Sequence, residues 1–113
     1  MKELIFKTLA LKLINLAISQ LDEKIQMFWD EFGEALSIEN IASINVKRLQ
    51  HYQNLAFIYL DAKENLEEDK PLTKDNYVTI HNLLQDITEG VFDNDKQLED
   101  FKVFNYKKLN EFL

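Results

Sequence analysis

Three groups of residues in this chain have the types and spacing to do chemistry. Arg48, His51 and Tyr52 stand at offsets of three and four, which makes them neighbours on one helix face. An enzyme built on them would use His51 as its general base. Asp61, Glu64, Glu67, Glu68 and Asp69 form one carboxylate cluster, and Asp86, Glu89, Asp93, Asp95, Glu99 and Asp100 form a second. Carboxylates paired for acid–base work need a shared, partly buried cleft. These fall where helix ends, turns and exposed faces are expected, so they read as a solvated face or as a recognition patch for a basic protein.

Metal and cofactor chemistry find little support. A diiron bundle uses Glu-x-x-His and a helical zinc protease His-Glu-x-x-His; Arg48 precedes His51 at that spacing, and Val78 precedes His81. Asp93-Asn94-Asp95 resembles the start of a calcium loop, but the glycine at position six and the glutamate at position twelve of an EF-hand are missing. The chain contains no cysteine, which excludes disulfides, thiolate nucleophiles and cysteine-based zinc sites and fits a reducing compartment. The cofactor expectation is none, and the histidines are expected on the surface or at its boundary.

Charge bounds the partners. The net charge of −7 is unevenly spread: residues 1–12 and residues 101–113 each hold three lysines against one glutamate, so the middle carries the whole acidic excess. Phosphate backbones are bound by clustered lysine and arginine, so direct nucleic-acid binding is disfavoured. An acidic middle favours a basic protein partner, or serves solubility. Arg48 is the sole arginine among frequent Lys, Asn and Ile, a usage that suggests an AT-rich genome, and the absence of cysteine makes a cytoplasmic protein, of bacterial or phage origin, the expectation.

The elements that would position these groups are helices. Two glycines and one proline among 113 residues leave few breaks, and the alternation of a strand is missing. The longest helical pattern spans residues 2–36. At 100° per residue its apolar positions cover roughly 240°, against the ~100° stripe of an ordinary surface helix, so it is expected at the centre of a bundle. Ser19-x-x-Asp22 and Gly33 offer places for it to break or bend. Lysines interrupt its apolar run, and the longest uncharged stretch, residues 13–21, falls short of the ~20 residues of a membrane span. Neither a secretory signal nor a span is expected.

A short helical turn is expected near 38–43, then a second helix from about Asn45 to Leu66. Its inner face would hold Leu49, Tyr52, Ala56, Tyr59, Leu60 and Leu66, with Val46 and Phe57 beside them. Thr73 is placed to cap a third helix over residues 74–89, closed by Gly90. Asp93 or Asn94 would cap a fourth over about 95–112, with residues 102–106 irregular because they fit its apolar face poorly. The fold expectation is an all-α, four-helix antiparallel bundle in one domain, residues 1–113.

These observations together imply a non-enzymatic acidic module of the inhibitor, immunity-protein or antitoxin type, docking on and blocking a basic partner such as a toxin or nuclease. The contact residues expected are Asp61, Glu64, Glu67, Glu68, Asp86, Asp93 and Asp95. The alternative is a structural or regulatory homo-oligomer, for example a homodimer, pairing through the long first helix.

Overall fold

A computed structural model describes residues 1–32 and 43–113. Among these residues the chain forms four helices, α1 (Glu3–Phe32), α2 (Ser43–Glu67), α3 (Lys74–Asp86) and α4 (Asp95–Asn110), and no strand. The helical turn expected near 38–43 and the bend at Gly33 lie outside the described residues, apart from Ser43, which opens α2.

The all-α bundle is as the sequence implies. α1 runs unbroken through residues 19–22, because Leu21 is buried there and its neighbours continue the packed stripe. By length and composition α1 is apolar enough to cross a membrane, yet it serves here as the core helix. Phe6, Leu9, Ala10, Leu13, Ile14, Ala17, Leu21 and Phe28 are buried, on an arc of about 140°. α2 returns antiparallel beside it, so that Lys7 pairs with Asp69. α3 packs across both, and α4 packs on α3.

One ring organises this packing. Phe6 stacks on Phe101 at 4.7 Å and touches Phe104 at 4.6 Å and Tyr77 at 6.3 Å. A single side chain on α1 thus holds α3 and α4 together, and burial of this kind stabilises by about 2–3 kcal/mol per large apolar side chain.

Hydrogen bonds set the boundaries of α3. Thr73 caps it by accepting the Asn76 N–H at 3.2 Å, while Asn76 Oδ1 accepts the Thr73 N–H at 3.0 Å, a reciprocal box that satisfies two orphan donors. The helix ends at Asp86 rather than Glu89. Ile87 turns extended (φ −134°) and donates its N–H to the Leu83 carbonyl at 2.8 Å. A turn through Gly90, at φ +82°, then brings Val91 into the core at 4 % exposure. Glycine suits that left-handed position because it has no Cβ.

Two expectations about side-chain faces are corrected. Leu60 and Phe57 do not face inward; they are 53 % and 74 % exposed, and Val46 is exposed too. The inward line of α2 is instead Leu55, Tyr59, Ala62 and Leu66, which leaves Leu60 on a flank about 100° away or more. Residues 102–106 are regular helix, not irregular. Asn105 fits the buried face because its Nδ2 donates to the Tyr77 carbonyl at 3.1 Å, and Phe104 packs on Phe6.

Candidate functional site

The seven carboxylates singled out in the sequence do not form one surface. Asp61, Glu64, Glu67 and Glu68 lie at the C-terminal end of α2, beside the start of α3. Asp86, Asp93 and Asp95 lie at the other end of α3, ten residues and about 15 Å of helix away.

The α2 group is occupied within the chain. Asp61 accepts a hydrogen bond from Asn76 Nδ2 at 3.0 Å, and the buried Asn76 also accepts from Asn65 Nδ2 at 2.8 Å. Asp61 is therefore part of the joint between α2 and α3. Lys70 lies 2.6 Å from Glu68 and 3.5 Å from Glu64, and Lys63 lies 3.8 Å from Glu67. The Glu68 hydrogen bond and charge, with Glu64 behind them, raise the Lys70 ammonium above its ordinary value. Lys7 holds Asp69 below the usual carboxylate range through a direct bond. Each exposed pair is worth little in stability, but together they cancel most of the field that the cluster would project.

The α3–α4 turn is different. Between Asp86 and Asp100 there are six carboxylates and one lysine, Lys96. Among the described residues only Glu99 of these six has an ion-pair partner, Lys102 at 3.8 Å. The turn is nevertheless held firmly. Asn94 Oδ1 accepts the Gln97 N–H at 2.8 Å, and Gln97 Oε1 accepts the Asp93 N–H at 2.8 Å. This cap fixes the backbone while Asp93 and Asp95 remain exposed. Asp95, in the first turn of α4, is also favoured by the helix dipole.

Asp86 links this turn to a cleft of about 350 Å³ between α1, α2 and α3. Leu55, Ile58 and Leu83 contribute apolar surface to it; Lys24, His51, Tyr59 and Asn82 contribute polar groups. Burial first, and the negative charge of Asp86 second, push the Tyr59 phenol above its ordinary pKa. His51 faces this cleft, its ring 6.2 Å from that of Tyr52, while Arg48 is exposed on the same helix. A second concavity, about 800 Å³, runs between α3 and α4 with Leu84, Val103 and Tyr106 in it and Lys102, Lys107 and His81 at its edges. Among the described residues no three His, Asp or Glu side chains converge to hold a metal ion.

The cleft at Asp86 was missed in the sequence because its walls come from three helices. The pairing of Glu64, Glu68 and Asp69 was missed because their lysines lie beyond α2, at Lys70, and on α1, at Lys7; Lys63, four residues before Glu67 on α2 itself, was legible. No family model, curated protein or solved structure matches the chain.

Proposed function

We propose that this protein is a non-enzymatic binding module that docks its acidic helical surface onto a basic partner protein and blocks it, in the manner of inhibitors, immunity proteins and antitoxins that cover a toxin or nucleic-acid enzyme. The observation that carries the reading is the α3–α4 turn, where five of the six carboxylates have no ion-pair partner among the described residues and the backbone is capped and ordered. Unpaired charge on a rigid element steers a basic partner and sets its association rate, and little conformational freedom is lost on docking. The cleft beneath Asp86 gives the same surface a partly apolar socket for one anchoring side chain of the partner. On this reading the turn, with Asp86, Asp93 and Asp95, is the primary contact, and the paired group Asp61, Glu64, Glu67 and Glu68 is peripheral to it. The site of action is the cytoplasm.

The test is a charge reversal of Asp86, Asp93 and Asp95 to lysine, set beside a reversal of Glu64, Glu67 and Glu68, each immobilised as bait for a basic partner from its native source. The first triple variant slows association at low salt by about 10-fold or more; the second has the smaller effect. A partner that binds both variants as it binds the wild type rejects the acidic-docking reading.

A further inference from the structure

The concavity between α3 and α4 has the opposite charge to the molecule around it. The chain carries −7, and three other concavities of the described residues each take in at least one carboxylate: Asp86 in one, Asp61 and Asp75 in another, Glu3 and Glu111 in a third. The α3–α4 concavity, at about 800 Å³, takes in none, and its charged groups are Lys102 and Lys107. Of the two lysines in the last turn of α4, Lys108 lies 5.6 Å from the centre of the Phe104 ring. Lys107 has no ion-pair partner among the described residues, and Lys102 reaches only the exposed Glu99, at 3.8 Å. His81 and Gln85 border the α3 side, their side-chain nitrogens 3.5 Å apart.

Between these polar edges the lining is apolar. Leu84 is 6 % exposed, and Val103 and Tyr106 beside it are 50 % and 63 % exposed. A space of this volume, walled by apolar side chains with a few polar groups at its edge, has the make-up of a small-molecule site. Its length narrows the occupant further. α4 contributes residues 102–107 and α3 residues 81–85, so the concavity runs for only about 8 Å along the helices. Beyond it the same face of α4 turns polar, at Glu99 on one side and Asn110 on the other. A docking helix of about 12 residues is about 18 Å long, and an extended acyl chain would overrun the space in the same way. A compact ring fits it.

We infer that this concavity binds a compact amphipathic carboxylate. The ring-shaped body lies against Leu84, Val103 and Tyr106, where Tyr106 offers a face to stack on, and the anionic group pairs with Lys107 while Lys102 lends its charge from the other side. Charge complementarity commits the site to an anion: the two lysines are the charges that line it, and no carboxylate lines it to repel the ligand. The site is separate from the acidic turn and needs no basic partner protein.

The experiment titrates the isotopically labelled full chain with naphthoate and with its neutral isostere naphthamide, following amide chemical shifts. Naphthoate should shift the amides of residues 81–85 and 102–107 and saturate with a dissociation constant of about 1 mM, the affinity usual for so small a ligand. Naphthamide should bind about fivefold more weakly, and Lys107→Met should weaken naphthoate about threefold while leaving naphthamide unchanged. Lys107 is exposed, so the variant keeps its fold, which its unchanged spectrum elsewhere will show. Equal affinity for acid and amide, a naphthoate affinity that Lys107→Met leaves unchanged, shifts centred on another part of the molecule, or no saturation by about 10 mM overturns the inference. So do shifts of these same amides with protein concentration alone, because the concavity would then be closed by a second copy.

Discussion

Replacing Asn76 with alanine tests how much of the candidate acidic surface is architecture. The side chain is 2 % exposed and makes three hydrogen bonds: it accepts from the Thr73 N–H at 3.0 Å and from Asn65 Nδ2 at 2.8 Å, and donates to Asp61 at 3.0 Å. Two neutral bonds contribute about 1 kcal/mol each. The bond to Asp61 is charge-assisted, but its acceptor is exposed, so screening reduces it to about 1 kcal/mol as well. The expected loss is about 3 kcal/mol, or roughly 12 °C in Tm for a domain of this size. Urea and thermal unfolding followed by circular dichroism measure it. Asp61→Ala, which removes one of the three bonds, should cost about 1 kcal/mol, and the Asp61/Asn76 double-mutant cycle should return a coupling of similar size. An Asn76→Ala loss below about 1 kcal/mol, or additive single effects, would refute the argument that Asp61 belongs to the α2–α3 joint.

Three further outcomes follow from the packing and electrostatics. Phe6→Ala removes the ring shared by Tyr77, Phe101 and Phe104 and should cost about 3–5 kcal/mol in a urea melt, whereas Phe57→Ser, at a side chain 74 % exposed, should stay within about 0.5 kcal/mol. The Asp69 carboxyl titrates below its ordinary 3.8 because Lys7 bonds it. The ion pair therefore supports the fold above that value and is lost as pH falls through the lowered pKa, so a Lys7→Met variant should approach wild-type stability only in strong acid. Tyr59 should titrate above 10.0 by ultraviolet absorbance. Asp86→Asn should lower its midpoint only part of the way back, because burial is the larger cause of the shift.

Most of the fold was legible because it depends on local pattern. The Thr73 cap, the strict spacing of Tyr77, Ile80, Leu83 and Leu84, and the Asn94 cap need only a few neighbouring residues to be recognised, and each stands where the spacing put it. What was illegible depends on distant partners. The wide apolar arc of α1 predicts neighbours on two or three sides, but local spacing does not say which flank they take, and Leu4, at one edge of the arc, is 78 % exposed. Asn105 looked like an interruption in α4 because its partner, the Tyr77 carbonyl, is 28 residues away. The same limit governs the candidate site. Both acidic clusters look alike in sequence, and they part company only when Lys7, 62 residues from Asp69, and Asn76, 15 from Asp61, are brought across.

The measurement that bears most directly on the central claim is a paired affinity capture from lysate of the native source, with wild-type protein and the Asp86→Lys/Asp93→Lys/Asp95→Lys variant as baits, each washed at low and at high salt. Acidic docking predicts one stoichiometric basic protein on the wild type, released by salt and missing from the variant. A partner that resists salt and binds both baits equally, or a wild-type bait that captures no basic protein, contradicts it.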